Sequence, residues 1–221
     1  MIWLACAAIL AIAYLFGSIP TGYLLGRMLK GIDIREHGSK STGATNVLRV
    51  LGKGPGAVAL LLDALKGAAA VLAAGALFAW VCVQPWAAAP TGVGLAGALA
   101  WRPWVICLAG LAALVGHARS VWLGFTGGKS VAAGIGFLFA IAWPVALGAV
   151  VVFLGAVALW RRVSLGSMLG AATAIVLAWL LPEPLAYRLL ALVGGVAIIA
   201  LHHANIRRLL AGTEPRLGQR A

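Results

Sequence analysis

Residues Gly38 to Arg49 read GSKSTGATNVLR, the longest polar, glycine-rich stretch in a sequence that is 63% hydrophobic. Gly38 and Gly43 can adopt a positive φ angle, which lets such a loop turn backbone N–H groups and hydroxyls toward one point. Because the stretch separates two apolar runs of membrane length, it predicts a phosphate-binding loop at a membrane surface. An ordinary polar loop between spans is the alternative. The candidate ligands in it are Gly38, Ser39, Ser41, Thr42, Gly43, Thr45, Asn46 and Arg49.

Composition places the chain among the polytopic membrane proteins. Its 221 residues have a mean hydropathy of +1.03 and only 10% of them are charged, whereas a soluble domain carries about 25% charged residues. No internal repeat or low-complexity segment divides the sequence, so we expect residues 1–221 to form a single all-α domain. The apolar N-terminus lacks the basic region of a signal peptide and is expected to remain as the first span.

Hydropathy predicts seven membrane spans. The first should kink near Pro20, because proline removes a backbone hydrogen bond. Residues 81–103 hold a short apolar piece, TGVGLAGALAW, which we expect to lie at the outer surface or to re-enter the membrane. The predicted spans are residues 1–26, 55–80, 104–118, two within 130–160, 165–181 and 185–204.

Residues 130–160 contain no charged side chain. As one helix they would rise roughly 46 Å, against a hydrocarbon core of about 30 Å. Basic residues flank the stretch on both sides, and basic flanks belong on the cytoplasmic side. We therefore expect two short spans that turn near Trp143 and Pro144.

The same rule orients the whole protein. With the N-terminus outside, all 17 Lys and Arg residues except Arg102, Arg188 and Lys66 lie in cytoplasmic segments, and Lys66 lies within a span. This asymmetry predicts an outer N-terminus and a cytoplasmic C-terminus. Every segment rich in reactive groups then reaches the cytoplasmic face: the first loop and residues 116–130, 161–168 and 202–218.

Two of these segments add candidate anion or substrate ligands. Gly127 and Gly128 can present N–H groups beside Lys129 at the start of a helix, whose dipole favours anions; a purely topogenic Lys129 is the alternative. Ser164 and Ser167 lie three positions apart near another helix start, where they contact substrate or cap the helix.

His202 and Asn205 lie one turn apart at the inner end of the last span. Exposure of His202 to lipid would be costly, so we expect it to face the bundle interior, as a base or as a hydrogen-bonding positioner. Asp63 and Lys66 are spaced to form an ion pair inside a span, with either a functional or a structural role.

Six segments together resemble the bacterial acyl-phosphate:glycerol-3-phosphate acyltransferases (PlsY type). The likeness runs in order from about Gly17 to Gly218. The segments are GSIPTGYLLGR, DIREHGSKSTGATNVLRVLGK, LLDALKG, GHARSVWLGFTGGKSVAAGIG, RRVSLGSM and HHANIRRLLAGTEPRLG.

The resemblance implies a seven-span enzyme of the bacterial inner membrane with its active site toward the cytoplasm. It implies transfer of a fatty acyl group from acyl phosphate to the 1-hydroxyl of sn-glycerol 3-phosphate, giving lysophosphatidic acid. Membrane lipid is the remaining partner; no cofactor, metal or nucleic acid is implied, and the oligomeric state stays open. Residues matching the motifs are Ser39, Arg49, Lys129 with the preceding glycines, Ser164, Ser167, His202, Asn205 and Glu214.

The chain departs from the usual family pattern at several positions. GSKS stands for GSGN, FTGGK for FKGGK, and GHARS for GHxFP. Thr126 therefore replaces a lysine, and we expect Lys40 to supply the missing charge.

Two substrates with phosphates need two anion sites, which the two glycine-rich loops offer. A mixed anhydride has a good leaving group, so positioning and charge neutralisation account for the rate and no covalent intermediate is needed. The sequence leaves two other classes open. A transporter for a phosphorylated metabolite would use the same anion sites, although no half-to-half repeat is present, and a scaffold would only bind lipid head groups.

Overall fold

The computed structural model describes residues 1–84, 86 and 94–219, and within that part of the chain every named element is helical. The α-helices are α1 (Ile2–Ser18), α2 (Thr21–Lys30), α3 (Ala44–Leu51), α4 (Lys53–Cys82), α5 (Leu95–Leu99), α6 (Arg102–Ala118), α7 (Val131–Ile141), α8 (Trp143–Trp160), α9 (Val163–Leu180), α10 (Leu185–Leu201) and α11 (His203–Leu210).

The predicted kink in the first span is present. Helix α1 ends at Ser18 and α2 begins at Thr21, with Ile19 and Pro20 between them. The two helices together form one apolar stretch of 29 residues. Proline lacks the N–H that would continue the ladder, so the helix breaks there without reversing.

The next two predicted spans are longer in the structure than in the sequence analysis. Helix α4 has 30 residues. Helix α5 runs almost directly into α6, and together they form an apolar stretch of 24 residues. The described part of TGVGLAGALAW therefore extends the third span; its first residues, like Pro85, Pro90 and Arg220, lie outside the described residues.

The uncharged stretch from 130 to 160 forms two helices, as predicted, and they meet at Ala142. Ala142 has φ −150° and ψ 62°, which interrupts the helical hydrogen bonds. Val131 at the start of α7 and Phe153 in the second half of α8 line the same cavity. The chain therefore leaves this cavity along α7 and returns to it along α8.

Among the described residues, five helical stretches are long and apolar enough to cross a membrane, and α10 with α11 makes a sixth with a bend of 57°. The shorter α7 has 11 residues and rises only about 16 Å. The protein is thus an all-helical membrane protein with five or six candidate spans. Seven spans with an outer N-terminus remain a prediction.

Helices α4 and α7 cross at backbone contact. A Cβ on Gly136 would lie 1.9 Å from the carbonyl oxygen of Ala64, and one on Gly67 would lie 2.1 Å from that of Ala133. Only glycine allows this approach. The crossing fixes the start of α7, and with it the Lys129 segment, against the middle of α4.

Candidate active site

One cavity of about 120 Å³ gathers residues from all four segments that the sequence analysis placed on one face. Its walls come from α3 and the loop before it, the start of α7, the start of α9, and the corner between α10 and α11. The candidate residues that line it are Ser39, Ser41, Gly43, Thr45, Asn46, Arg49, Lys129, Ser164, Ser167, His202, Asn205 and Glu214.

Helix N-termini converge on this cavity. Helices α3, α7 and α9 each bring their first residue to its wall, Ala44, Val131 and Val163 respectively. The first N–H groups of a helix have no intrahelical partner, and the macrodipole places partial positive charge there. Lys129 and Arg49 add full charges to the same wall. The cavity is built to hold anions.

The loop before α3 is folded around the side chain of Asn46, which is 1% exposed. The two hydrogens of its Nδ2 group are shared among the carbonyl oxygens of Ser41, His37 and Ile34, at 2.8, 3.0 and 3.1 Å. Its Oδ1 accepts from the backbone N–H of Ser39 at 2.8 Å. The amide group thereby holds the loop in one shape and directs Ser39 and Ser41 into the cavity.

The two glycines of this loop differ in conformation. Gly38 has φ +58°, and a Cβ there would lie 2.4 Å from Oδ1 of Asn46. The expectation of a positive φ at Gly43 is wrong: Gly43 has φ −74° and is the N-cap of α3. The second positive φ, 57°, belongs to Lys40, whose exposed side chain lies outside the cavity wall.

Four candidate ligands do not line the cavity. Gly38 packs on Asn46, and Thr42 lies buried beside Gly22, where an added Cβ would meet the Thr42 carbonyl oxygen at 2.0 Å. The other two are Gly127 and Gly128.

Gly127 and Gly128 pack against His117. A Cβ on Gly127 would lie 2.2 Å from the His117 carbonyl oxygen, and one on Gly128 would lie 2.2 Å from its Nε2. The N–H of Gly128 donates to the His117 carbonyl at 3.0 Å. The expectation that this N–H faces an anion is wrong, because a backbone partner already takes it. These glycines bring Lys129 close to the helix bundle.

Lys129 is the first member of a buried chain of hydrogen bonds. Its Nζ donates to Oδ1 of Asn205, and Nδ2 of Asn205 donates to Oε1 of Glu214 at 2.6 Å. Ser164 Oγ donates to the same oxygen at 2.6 Å, while Arg208 Nε donates to Oε2 at 2.7 Å. Three elements, α9, α11 and the C-terminal segment, thus hold Lys129 in place.

The charges in this chain shift its pKa values. The pKa of Lys129 is lowered to about 8: burial is the main cause, Glu214 opposes the shift, and Arg208 and Arg49 add to it. Burial alone would raise the pKa of Glu214, but the hydrogen bonds from Ser164, Asn205 and Arg208 outweigh it and lower the pKa. Glu214 is therefore a carboxylate whose oxygens are all engaged.

Ser164 and Ser167 are not helix caps. The N-cap of α9 is Arg162, so the capping interpretation is wrong for both serines. Ser167 Oγ donates to the carbonyl oxygen of Val163 at 2.9 Å. Both hydroxyls retain lone pairs toward the cavity, where they can accept a hydrogen bond.

His202 occupies the corner between α10 and α11 and is 3% exposed. Its Nδ1 lies 2.8 Å from the carbonyl oxygen of Ile198. A carbonyl only accepts, so Nδ1 carries the proton and Nε2 is the acceptor. The imidazole is therefore buried in the bundle, as predicted, with an unprotonated Nε2 that can accept a hydrogen bond.

The predicted ion pair within α4 is present, with Lys66 Nζ 2.8 Å from Asp63 Oδ1. Lys66 also donates to the carbonyl oxygen of Ile19 at 2.7 Å, at the break between α1 and α2. Asp63 lies 3.7 Å from Nδ1 of His117, and both residues line the polar cavity. The pair thus joins three helices beneath the site.

Sequence reasoning missed three contributors to the site. Arg208 counts in the sequence only as one of the basic residues of the predicted cytoplasmic segments, yet it pairs with Glu214. His117 was not singled out. Arg35 pairs with Asp33 at 2.7 Å and donates from Nη1 to Thr126 Oγ1 at 3.3 Å, which links the two glycine-rich loops. The position of His117 at the end of a predicted span, like that of His202, could have indicated that it lies near the site.

A second cavity, of about 410 Å³, continues from the polar one and is almost wholly apolar. Leu60, Val131, Ala132, Phe153 and Ser167 line both. Helices α4, α7, α8, α9 and α10 form its walls. A bound molecule can therefore place a charged end in the first cavity and a hydrocarbon chain in the second.

Comparisons with known proteins agree with this arrangement. The glycerol-3-phosphate acyltransferase family matches residues 7–212. A glycerol-3-phosphate acyltransferase 2 of Rhizobium johnstonii is 59% identical over 98% of this chain and 98% of its own. The glycerol-3-phosphate acyltransferase of Acaryochloris marina is 54% identical over 99% and 96%.

Solved structures give the same result. The crystal structure of PlsY (YgiH), an integral membrane glycerol 3-phosphate acyltransferase, in its glycerol 3-phosphate form matches with a TM-score of 0.81 and 37% identity, over 96% of each chain. Its lysophosphatidic acid form matches with a TM-score of 0.78 and 36% identity, over 96% of this chain and 95% of that one. These matches to a family of enzymes argue against the transporter and scaffold interpretations. The chain belongs to the glycerol-3-phosphate acyltransferase family and is an integral membrane acyltransferase of the PlsY type.

Proposed function

We propose that the protein transfers a fatty acyl group from acyl phosphate to the 1-hydroxyl of sn-glycerol 3-phosphate, giving lysophosphatidic acid and phosphate, the first step of phospholipid synthesis. The observation that supports this most is the union of an anion-binding cavity with an apolar one. One reactant is small and doubly charged, and the other joins a phosphate to a hydrocarbon chain. The polar cavity suits the phosphate groups, and the apolar cavity suits the hydrocarbon chain.

The phosphate groups are held by two sets of donors. Arg49 with the start of α3 and the Ser39 and Ser41 hydroxyls forms one set; Lys129 with the start of α7 forms the other. Charge-assisted hydrogen bonds from a guanidinium and an ammonium to phosphate are about twice as strong as neutral ones. Asn46, whose amide is used within the loop, and Gly38 act by shaping the first set.

The reaction is a direct acyl transfer. The glycerol 1-oxygen attacks the carbonyl carbon of acyl phosphate and forms the new ester bond, while the bond from that carbon to the bridging phosphate oxygen breaks. The departing phosphate keeps the bridging oxygen. The hydroxyl proton passes to Nε2 of His202 or directly to the leaving phosphate, so no serine needs to carry the acyl group.

The chain of bonds around Glu214 serves orientation. Asn205 would be free to turn without Glu214, and Lys129 would lose its Asn205 partner. A fixed ammonium needs no reorganisation when charge develops on the leaving phosphate. Glu214 and Asn205 are therefore positioning groups for Lys129. Ser164 donates to Glu214, and Ser167 borders the junction between the two cavities.

We place this site on the cytoplasmic face of the bacterial inner membrane. The Lys and Arg residues concentrate in the segments that form the site, in agreement with the positive-inside rule. Glycerol 3-phosphate carries a charge that prevents it from crossing lipid, so it must reach the site from the water on the same side of the membrane as the site.

The test is phosphate release by purified protein in detergent. Palmitoyl phosphate with glycerol 3-phosphate should release phosphate and form lysophosphatidic acid, whereas palmitoyl-CoA and palmitoyl acyl-carrier protein should give none. His202→Ala should lower kcat by about 100-fold or more. Turnover with either thioester at the acyl phosphate rate would contradict the proposed reaction, whereas full activity of His202→Ala would contradict only the role given to His202.

A further inference from the structure

The apolar cavity has a floor. At its deep end lie Leu138 on α7, Ala149 on α8, Ala174 on α9 and Leu190 on α10, all of them 6% exposed or less. Beyond this layer the bundle is filled by a packed layer of buried residues. That layer contains Ala142, Val145, Ala146, Ala178 and Ala186. A chain that enters at the polar end therefore cannot continue straight through the protein.

The depth of the cavity follows from the helices that line it. Ser167 and Val131 line its mouth, and Ala174 and Leu138 lie seven positions further along their helices. At 1.5 Å per residue this distance is about 11 Å. An extended hydrocarbon advances about 1.25 Å per carbon, given a C–C length near 1.5 Å. The cavity holds roughly eight or nine carbons.

The side of the cavity is open to the surroundings. Leu61, Phe139 and Leu154 line it and are also 60%, 46% and 57% exposed. They come from α4, α7 and α8, so the opening runs along the lipid-facing edge where these helices meet. A hydrocarbon longer than the cavity has a lateral way out into the bilayer.

We infer that the enzyme encloses only the first eight or nine carbons of the donor acyl chain, and that the remaining carbons leave sideways into the lipid through the opening lined by α4, α7 and α8. This rests on the proposed function, since it concerns the acyl donor. The enclosed carbons meet close-packed walls, which tolerate little extra volume. The distal carbons lie in fluid hydrocarbon both before and after binding, so the enzyme does not read their number or shape.

The test places one bulky group at different depths. Palmitoyl phosphates with a gem-dimethyl group at carbon 4, 6, 8, 10, 12 or 14 are compared at equal mole fraction in lipid nanodiscs. We expect kcat/KM to fall tenfold or more for groups at carbons 4 to 8, because the close-packed walls cannot take the added volume without strain. Groups at carbon 12 or 14 should leave kcat/KM within twofold of the unsubstituted donor.

A variant sharpens the position of the floor. Leu190→Ala should restore kcat/KM for the carbon-8 donor by at least threefold, because Leu190 lies in the floor. The control is Leu192→Ala, on the same helix but 36% exposed and outside the cavity wall, which should restore nothing. If Leu190→Ala does not fold, Leu138→Ala takes its place.

Binding is read independently of turnover with hexadecyl phosphates that carry a diazirine. A diazirine at carbon 6 should cross-link to cavity residues, and one at carbon 12 to lipid or Phe139. An equal penalty at every position, no penalty anywhere, or cross-links from carbon 12 to the floor residues Leu138 and Leu190 would overturn the inference. Failure of the unsubstituted donor to react would instead count against the proposed function, and the cross-links would still decide where the chain lies.

Discussion

The two glycine-rich loops look alike in sequence and work differently in the structure. In the first, Gly38 to Asn46, one buried amide organises the backbone, and the loop delivers hydroxyls and a helix N-terminus to the cavity. In the second, Gly127 to Ser130, the glycines are pressed against His117 and a single charged side chain, Lys129, reaches the cavity. Glycine supplies a turn in one loop and a close approach in the other.

This difference matters for how the loops act on an anion. The first loop offers many weak, fixed donors, and its shape depends on Asn46. The second offers one strong charge, and its position depends on packing against α6 and on the bond to Asn205. Changes that remove a charge and changes that remove a shape should therefore separate the two loops.

The largest effect is expected from the loss of Lys129. Each loop has one lysine, so Lys40 is the matched control. Lys129→Ala should lower kcat/KM for glycerol 3-phosphate by about 100-fold or more, as loss of a preorganised charged donor does in other sites. Lys40→Ala should stay within twofold, since its side chain is exposed and outside the cavity wall. Phosphate release at varied glycerol 3-phosphate measures both; equal losses would erase the distinction between the loops. The same result would decide whether Lys40 substitutes for the lysine that Thr126 replaces.

Asn46→Ala should have the next largest effect. It leaves three carbonyl oxygens and one N–H without their partner, and unmade buried hydrogen bonds cost about 1–3 kcal/mol. We expect activity to fall about 30-fold and the free energy of unfolding by about 2 kcal/mol. Ser41→Ala is the control for stability, because it removes one longer bond of 3.3 Å to the Gly43 N–H. Thermal unfolding in detergent separates the two variants, and an Asn46→Ala protein as stable as Ser41→Ala would mean that the amide does not hold the loop.

The sequence predicted the fold and the convergence of the site better than the role of each residue. Hydropathy and basic flanks place helices and turns because the bilayer constrains both. They also explain why Lys129, His202 and Arg49 meet, since all lie at the same ends of the spans. The roles of Gly128 and Asn46 could not be predicted from the sequence. Gly128 packs against His117, and Asn46 binds backbone carbonyls, and only folding brings these groups together.

The pairing of Arg208 with Glu214 shows the same limit. The two residues are separated by the turn at Gly212, so no helical periodicity relates them. From the sequence, the charge of Arg208 serves only to predict the orientation of the chain. Three-dimensional contact assigns it to the carboxylate that holds Asn205 and Ser164.

The charge of Lys129 should make activity depend on pH. Burial lowers its pKa to about 8, so the ammonium is present below pH 8 and is lost above it. We expect kcat/KM for glycerol 3-phosphate to fall about tenfold per pH unit above that value. Lys129→Arg keeps its charge to higher pH, so the activity that remains in this variant should no longer fall above pH 8. A wild-type profile that is flat to pH 10 would show that the second loop does not act through a titrating charge.

The smallest effect is expected from the glycine that serves close approach. A Cβ at position 128 would lie 2.2 Å from Nε2 of a histidine that is 6% exposed, His117. Gly128→Ala should therefore lower the free energy of unfolding by about 1–3 kcal/mol and shift Lys129 enough to reduce activity about fivefold. Gly54→Ala is the matched control, since no atom lies within 4 Å of its added Cβ and its φ is not positive; it should cost nothing. If Gly128→Ala keeps full stability and loses activity, position 128 acts on the anion and not through packing against His117.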